Sequence, residues 1–371
     1  MSSELIVQRG TVTLLRLVDV AYSIDLARVE ALWSAHPRAA SSRARLDTTP
    51  PKAMAFGNPP VRVALEAERP DLGEDVAAWH ASASFHDFGA VALALHVEVA
   101  GLRWQELIDL TRRLDAALGP GARTPWWDAL WAGAAAVVGP ALDRPSDASL
   151  REDYCIVAVR DFGEVLDGEA VLARADLVAL LGGEQRPLSE AARQDLLRLR
   201  YSYYADDLVV ITWDRAFVYE PRGDSDVLDV LEVANAQLLE LRYYDELLDA
   251  ELPRMYEQVE GARKAVALFA ARRFAHLARR LYTLVAEVTE LTERVDNALQ
   301  VTEDVYLARV YSAALALFRV PTVAAAVERK LAIVRDTYAA LYDEASSRRA
   351  ELLEIAIVVL IVAEIGLALR A

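Results

Sequence analysis

The first half of the chain alternates between strand-like and helix-like patterns of apolar residues. Residues 11–23 are rich in β-branched and apolar side chains, which predicts a strand. In residues 25–35 the apolar positions are three and four apart, which predicts a helix. The elements predicted after these are strands at 61–66 and 80–99, a helix at 102–118, a helix that begins at Thr124-Pro125, and a strand at 154–159.

The order strand, helix, strand, strand, helix, strand is that of a ferredoxin-like split unit. Residues 208–220 add two short strands around Trp213-Asp214, which are the last strand signal in the chain. We therefore predict an α+β fold. Its N-terminal part, residues 1–223, is a mixed α/β body for which this order favours the ferredoxin-like topology.

The second part, residues 224–351, has helical spacing almost throughout. In the first helix, predicted for 226–256, Asn235 falls on an apolar face together with leucines. A polar residue at such a position sets the register between packed helices, and no acid, base or metal ligand is evident beside it for a catalytic role. We therefore interpret Asn235 as structural.

Two further stretches carry apolar residues in alternating steps of four and three. The first runs from Leu277 to Val305 and the second from Val327 to Ala345. Sustained steps of this kind are typical of coiled-coil packing. Pro321 either ends the first helix or begins the second. We predict a long antiparallel hairpin whose helices support a homo-oligomer.

Residues 352–369 are apolar except for Glu354 and Glu364. As a helix they span about 27 Å, close to the roughly 30 Å of a bilayer's hydrocarbon core. They predict a C-terminal tail anchor in membrane lipid, with the body at the cytoplasmic face of the bacterial plasma membrane. Glu364 would then be protonated, paired or turned toward another protein helix. The alternative is a tail helix buried in a soluble oligomer.

The net charge of the chain limits the kinds of molecule that it is expected to bind. The 371 residues include 56 acidic and 40 basic ones, a formal charge of −16, which disfavours general nucleic-acid binding. Residues 261–286 are the exception, since they contain no acid. This basic stripe is either a solvated face paired with acids or a docking strip for an anionic partner such as lipid headgroups. Its residues are Arg263, Lys264, Arg272, Arg273, Arg279 and Arg280.

Motifs for catalysis are lacking. The chain has neither a Gly-rich phosphate loop nor a nucleophile-elbow serine, and Cys155 is its single cysteine. His80 and His86 would share a strand face with Ser82 and Ser84, but no third or fourth metal ligand is evident. We therefore predict no catalytic residue, no metal and no cofactor.

Three tryptophans lie within one and a half turns of the predicted helix that begins at Thr124-Pro125. Trp126, Trp127 and Trp131 form either a packing cluster or a ligand-stacking patch. Large buried area is the usual contribution of tryptophan, which favours packing.

Three segments resemble the "required for meiotic nuclear division" family and its bacterial relatives. They are LEVANAQLLELRYYDELLD, DTYAALYDEASS and RRAELLEIAIVVLIVAEIGLALRA, within residues 150–371. The resemblance implies an α/β body, long helices and a C-terminal membrane segment. It also implies one Glu just before the apolar run and another near its end, which Glu354 and Glu364 match. Eukaryotic members are mitochondrial and linked to translation at the inner membrane. The family offers no catalytic residues.

The chain is also similar in outline to CorA-type magnesium channels, in which a cytoplasmic α/β body leads through a long helix into the membrane. It lacks their Gly-Met-Asn signature and their second membrane helix. We therefore predict a membrane-tethered, non-catalytic scaffold or assembly protein. The alternatives are an ion-transport accessory, in which Glu364 lines an oligomer axis, and an enzyme with an unrecognised site near the tryptophans or His80 and His86.

Overall fold

The chain divides into two compact units. The first comprises residues 1–240 and 294–321, and the second comprises 241–293 and 322–371. The computed structural model describes residues 5–35, 41–43, 54–73, 76, 78–147, 149–183, 186–223, 226–263, 267–301 and 305–368. Within these ranges it leaves out the side chains of residues 262, 263, 267–273, 345, 348, 349, 351, 352, 366 and 367.

Fifteen strands and ten α-helices make up the described part of the chain. The strands are β1 (Ile6–Val7), β2 (Arg9–Asp19), β3 (Ala21–Ile24), β4 (Ser41–Arg43), β5 (Met54–Phe56), β6 (Val61–Leu65), β7 (Trp79–Phe85), β8 (Ala90–Val99), β9 (Leu102–Arg103), β10 (Leu142–Pro145), β11 (Arg151–Asp161), β12 (Arg200–Tyr201), β13 (Leu208–Ile211), β14 (Arg215–Tyr219) and β15 (Leu299–Val301). The helices are α1 (Leu26–Ser34), α2 (Trp104–Leu118), α3 (Trp126–Val138), α4 (Gly168–Arg174), α5 (Leu177–Leu181), α6 (Glu190–Leu196), α7 (Val227–Arg263), α8 (Ala267–Asp296), α9 (Tyr306–Leu317) and α10 (Val320–Ala368).

A nine-stranded mixed sheet forms the centre of the first unit, in the order β12-β13-β14-β11-β2-β8-β7-β6-β4. Its four strands β11, β2, β8 and β7 are antiparallel to one another, and β11 pairs in parallel with β14 on its other side. Helix α1 comes between β2 and β7, and α2 and α3 come between β8 and β11. This is the interleaved arrangement of a split βαβ unit. The α+β prediction is therefore confirmed, and the ferredoxin-like order is found in these four strands.

The two faces of this sheet differ in polarity because side chains alternate along each strand. On β2, Val12 and Leu14 point into a large apolar core that includes residues of α1, α2 and α3. The other face, which we call the polar face, carries the alternate positions Thr11, Thr13 and Leu15 of β2. Their counterparts on the neighbouring strands are His96, Ser82, His80, Ser84 and Arg62.

The turn between β7 and β8 requires a glycine. Gly89 has a φ of +106°, and a Cβ placed there would lie 1.9 Å from the backbone oxygen of Ala21. Its carbonyl accepts a hydrogen bond from the amide of Val20. The turn therefore closes tightly, and it brings the two halves of the predicted run 80–99 together as a hairpin.

The start of α7 belongs to the first unit. Every residue from Val230 to Leu241 is buried, although four of them are polar. Gln237 donates to the backbone oxygen of Val295 at 2.6 Å and accepts from the hydroxyl of Tyr311 at 2.6 Å. The predicted boundary at residue 223 follows the last sheet strand, whereas the first unit extends to Glu240 because this helical segment is packed within it.

The predicted continuous helix from Leu277 to Val305 is wrong. Helix α8 ends at Asp296, and Leu299–Val301 is a strand paired antiparallel with β5. Tyr306–Leu317 form the separate helix α9 between this strand and α10, so the two seams are not joined by a short turn at Pro321. Pro321 is the second residue of α10, where its missing N–H costs no helical hydrogen bond.

Many of the seam residues in the second unit are buried, whereas Leu284, Leu331 and Tyr338 are half-buried. On α8 the buried ones include Leu277, Leu281, Val288 and Leu291, and on α10 they include Val327, Val334 and Leu341. Ion pairs join both helices to α7: Arg280 to Glu251 at 2.8 Å, and Lys330 to Asp245 and Asp249 at 2.6 Å each. The spacing in the sequence therefore identified the packed faces of α8 and α10 correctly.

Burial of Asp19 at the end of β2 gives a test of pH dependence. Burial raises the pKa of this carboxyl, a hydrogen bond from Ser146 opposes the rise and Asp147 adds to it, and the resulting pKa is about 7. The folded protein therefore keeps a proton between pH 4 and 7 that the unfolded chain loses, so stability falls as the pH rises through this window and levels off above it.

We expect Asp19→Asn to raise the free energy of unfolding by about 2 kcal/mol at pH 8 and to have little effect at pH 4. Urea denaturation across this pH range measures the difference. Asp195→Asn is the control, because the Asp195 side chain is 77% exposed and should leave the pH profile unchanged. If the free energy of unfolding depends on pH in the same way in Asp19→Asn and in the parent protein, the prediction is contradicted.

Candidate functional site

A cavity of about 420 Å³ opens on the polar face of the sheet, beside the first turns of α7. Strands β2, β6, β7 and β8 supply its floor, and β4 and α7 supply its sides. The polar side chains that line it are Thr13, Ser41, Ser42, Arg62, His80, Ser82, His96, Asp229 and Glu232.

Two histidines stack at the centre of this floor. His80 of β7 and His96 of β8 are paired across the hairpin, and their ring centroids are 4.5 Å apart with an angle of 20° between the planes. Nδ1 of His96 lies 3.1 Å from the Thr13 hydroxyl, and its Nε2 lies 3.0 Å from the Ser82 hydroxyl. Since a hydroxyl can donate or accept, both nitrogens of a neutral ring are satisfied.

The charge state of His96 follows from its surroundings. Burial is the largest cause that lowers its pKa, the neighbouring His80 and Arg62 act in the same direction and Glu232 opposes them, and the resulting pKa is about 4. The ring is therefore neutral at physiological pH. It acts as a fixed, uncharged part of the cavity floor rather than as a cation.

Arg62 holds two carboxylates of α7 against the sheet. Its guanidinium lies 2.8 Å from Oδ1 of Asp229 and 3.5 Å from Oε2 of Glu232, and its Nε donates to Ser84 at 3.2 Å. Burial raises the pKa of Asp229 despite Arg62. Burial acts in the same direction on Glu232, but Arg62 together with the nearby His86 and Ser84 outweighs it and lowers that pKa. Both carboxylates therefore depend on Arg62 for their charged form.

His86 takes no part in a histidine pair with His80. It is 3% exposed, and its Nε2 lies 3.5 Å from Oε1 of Glu232. In the described part of the chain, no group of three or more His, Cys, Asp or Glu side chains is arranged to hold a metal ion. His86 follows the last residue of β7, and it contacts Glu232 of α7, which lines the same cavity as His80.

A second cavity of about 240 Å³ adjoins the first. It shares Thr13, His80, His96 and Leu228 with it and extends toward Arg160 and Glu220. The stacked histidines therefore lie where the two cavities meet. Together they form a groove that crosses the polar face from β6 to β14.

Sequence reasoning missed His96, Arg62 and Asp229. The signal that could have found His96 is the Asp87-Phe88-Gly89 segment within the predicted run 80–99, because a turn there pairs residue 80 with residue 96. Arg62 and Asp229 are far apart in sequence, and only the position of α7 on the sheet brings them together.

Asn235 and the tryptophan cluster, which the sequence also singled out, make the contacts of packed structural residues. Asn235 is buried and donates to the carbonyl of Leu231 in its own helix at 2.8 Å. Trp127 is 1% exposed and donates to the carbonyl of Leu118, and Trp126 stacks edge-on against it. These contacts are those of a packing cluster within the apolar core.

Only part of the basic stripe lies among the described side chains. Arg279 and Arg280 are exposed on α8, and Arg280 is paired with Glu251. Lys264 and the side chains of Arg263, Arg272 and Arg273 lie outside the described residues. The predicted roles of the stripe therefore stay predictions.

The predicted tail anchor is described in part. Glu354 and Glu364 are both exposed on α10, whereas the side chain of Leu352 and all of residue 369 lie outside the described residues. Within the described residues, no single helix is long and apolar enough to cross a bilayer. The pair Tyr306–Leu317 and Val320–Glu344, bent by 59°, meets the criteria on length and composition only.

The fold and the groove define a class of protein: a mixed nine-stranded α+β body followed by long helices. Residues 9–226 match the family described as "Uncharacterized protein MJ0711, N-terminal domain". Because this match covers more than half of the chain, the chain belongs to that family.

A curated relative matches part of the chain. The chain is 25% identical over 211 residues to "Uncharacterized protein MJ0711" of Methanocaldococcus jannaschii, which is 56% of this chain and 64% of the relative. The match thus spans less than two thirds of that relative's length. No solved structure matches the chain.

Proposed function

We propose that this protein is a membrane-tethered, non-catalytic scaffold or assembly protein, with its α+β body on the cytoplasmic face. The observation that carries the proposal is the end of α10. All residues described between 353 and 365 are exposed, including nine large aliphatic side chains with exposed fractions from 50% to 68%. A helix that is apolar on all sides needs an apolar environment around it.

Contacts in the second unit explain why this segment is uncovered. The bridges from Lys330 and Arg280 to α7 and the contact of Tyr282 with Tyr338 all involve the part of α10 before residue 345. Leu341 is the last buried residue among the described side chains of α10, so the apolar segment that follows it is exposed.

The length of the exposed segment supports a membrane as its environment. Residues 353–365 correspond to about 20 Å of helix, and the full apolar run at 352–369 to about 27 Å. The hydrocarbon core of a bilayer is about 30 Å thick. The resemblance to the "required for meiotic nuclear division" family, which implies a membrane segment at this place, agrees with this assignment.

The two carboxylates of the tail are consistent with a helix that contacts other helices in the bilayer. Neither Glu354 nor Glu364 forms an ion pair with another described side chain. A carboxylate at mid-membrane depth costs about 3 kcal/mol on insertion scales, which a partner helix or a proton offsets. This supports an oligomer, with Glu364 at its helix contacts.

Fractionation tests the proposal. The full chain and a chain truncated after Arg349 are expressed in bacteria, and their membranes are washed with carbonate. A third variant, Leu360→Arg combined with Ile361→Arg, keeps the length but places two charges in the exposed apolar segment. We expect the full chain to stay in the membrane pellet and both variants to move to the supernatant.

Two outcomes would overturn the membrane assignment. One is a full chain in the supernatant whose oligomer shrinks on truncation, which would show that the tail packs between copies. The other is a truncated chain that resists the carbonate wash, which would place the membrane contact elsewhere. Arg335→Gln on the exposed surface of α10 is a matched control and should fractionate like the parent.

A further inference from the structure

The groove on the polar face is not used by membrane tethering, yet it has the dimensions of a ligand site. Its main chamber of about 420 Å³ is within the range of small-molecule sites, and the adjoining chamber adds about 240 Å³. Apolar walls come from Leu15, Ile156 and Leu228, and polar groups converge on the floor. Such a combination is typical of a pocket that orients a small molecule.

The charges of the main chamber select against anions. It is lined by one cation, Arg62, and by the carboxylates of Asp229 and Glu232. Arg62 is already shared between those two acids, and the buried His96 on the floor is neutral. A phosphate or carboxylate would therefore meet a net negative lining, whereas an uncharged or cationic group would not.

The stacked histidines offer a flat surface. The ring of His96 is held in place by its hydrogen bonds to Thr13 and Ser82, and it stacks against His80. His80 is exposed and lines both chambers. An imidazole fixed in this way needs little reordering before a planar ring stacks on it. Flat heterocycles stack on histidine and other aromatic side chains in many nucleic-acid and nucleoside sites.

Hydrogen-bonding groups surround this surface. Asp229 uses Oδ1 for Arg62, and its second carboxylate oxygen accepts no hydrogen bond from a described residue. That oxygen is an acceptor for an exocyclic amino group. The hydroxyls of Ser41 and Ser42 also line the chamber and can bond to the hydroxyls of a sugar.

We propose that this groove binds a nucleoside, an uncharged ligand with an amino-substituted nitrogen heterocycle. The base stacks on His80 and donates its amino group to Asp229. The sugar lies among the hydroxyl side chains. The binding site is complete within the first unit and does not depend on the tail.

Isothermal titration of the full chain in detergent with adenosine, cytidine and adenosine monophosphate tests the proposal. We expect binding of at least one nucleoside in the micromolar range, with binding of the monophosphate at least tenfold weaker because of the acidic lining. His80→Ala should weaken nucleoside binding about tenfold. Ala64→Trp, at an exposed position that lines the chamber, should abolish it by filling the space.

His276→Ala is the control, because His276 is an exposed histidine of α8 and does not line the groove. Circular dichroism verifies that each variant is folded. Absence of heat with both nucleosides at millimolar concentration would overturn the proposal. Tighter binding of the monophosphate than of the nucleosides would show that the groove is an anion site instead. Unchanged nucleoside affinity in His80→Ala would contradict the proposal that the base stacks on His80.

Discussion

Replacing Arg62 with methionine should lower the free energy of unfolding by about 3 kcal/mol, since it leaves buried carboxylates without their cation. Asp229 and Glu232 both depend on Arg62, and Glu232 is only 7% exposed. We take the lower end of the usual range for a broken buried pair because 35% of the Arg62 side chain is exposed. Urea denaturation at pH 7 measures the change.

A second set of variants tests whether the unpaired carboxylates cause the loss of stability in Arg62→Met. Asp229→Asn with Glu232→Gln in the Arg62→Met background should recover most of the lost stability, because no buried charge is then left unpaired. Arg103→Met serves as the control, since its pair with Glu106 is exposed and should contribute less than about 1 kcal/mol. A loss below about 1 kcal/mol in Arg62→Met would show that this network does not hold α7 to the sheet.

Replacing Trp127 with alanine should cost about 4 kcal/mol, the usual range for deleting a fully buried aromatic side chain. The indole is 1% exposed, its Nε1 donates to the carbonyl of Leu118 at 2.8 Å, and the Arg16 guanidinium lies 5.3 Å from its ring centroid. The same substitution at the half-buried Trp126 should cost clearly less.

Thermal and urea denaturation of the two tryptophan variants also separate the two interpretations of the cluster. A packing cluster predicts that stability falls most at Trp127, the more buried ring. A ligand-stacking patch predicts that both variants keep the parent stability and lose a ligand. Equal, small losses at both positions would therefore contradict the structural role that the contacts assign to Trp127.

Local patterns in the sequence were sufficient to predict many of the strands and helices of the first unit. The strands at 154–159 and 208–220 and the helices near residues 26 and 104 could be predicted, because alternation and helical spacing act over only a few residues. The same holds for the buried seams of α8 and α10. The break at Asp296 was missed because the strand at Leu299–Val301 depends on pairing with β5, about 245 residues earlier in the chain.

In the candidate site, too, local patterns predicted single residues, whereas their contacts depend on the tertiary structure. Apolar spacing pointed to the polar positions His80 and Ser82 on one strand face, but their partners come from other strands and from α7. Stacking of His80 on His96 requires the register of a hairpin closed at Gly89. The pairing of Arg62 with Asp229 requires the position of a helix on a sheet, and no short segment contains that information.

The sequence by itself determined the α+β class, the apolar surplus near the C-terminus and the acidic balance of the chain, since these depend on composition and on periodicity within one element. Only the tertiary structure decided that the apolar end of α10 is exposed, and that the polar face of the sheet forms a groove with stacked histidines. Both features arise from contacts between residues far apart in sequence, and such contacts are set by the packing of whole elements rather than by local preference.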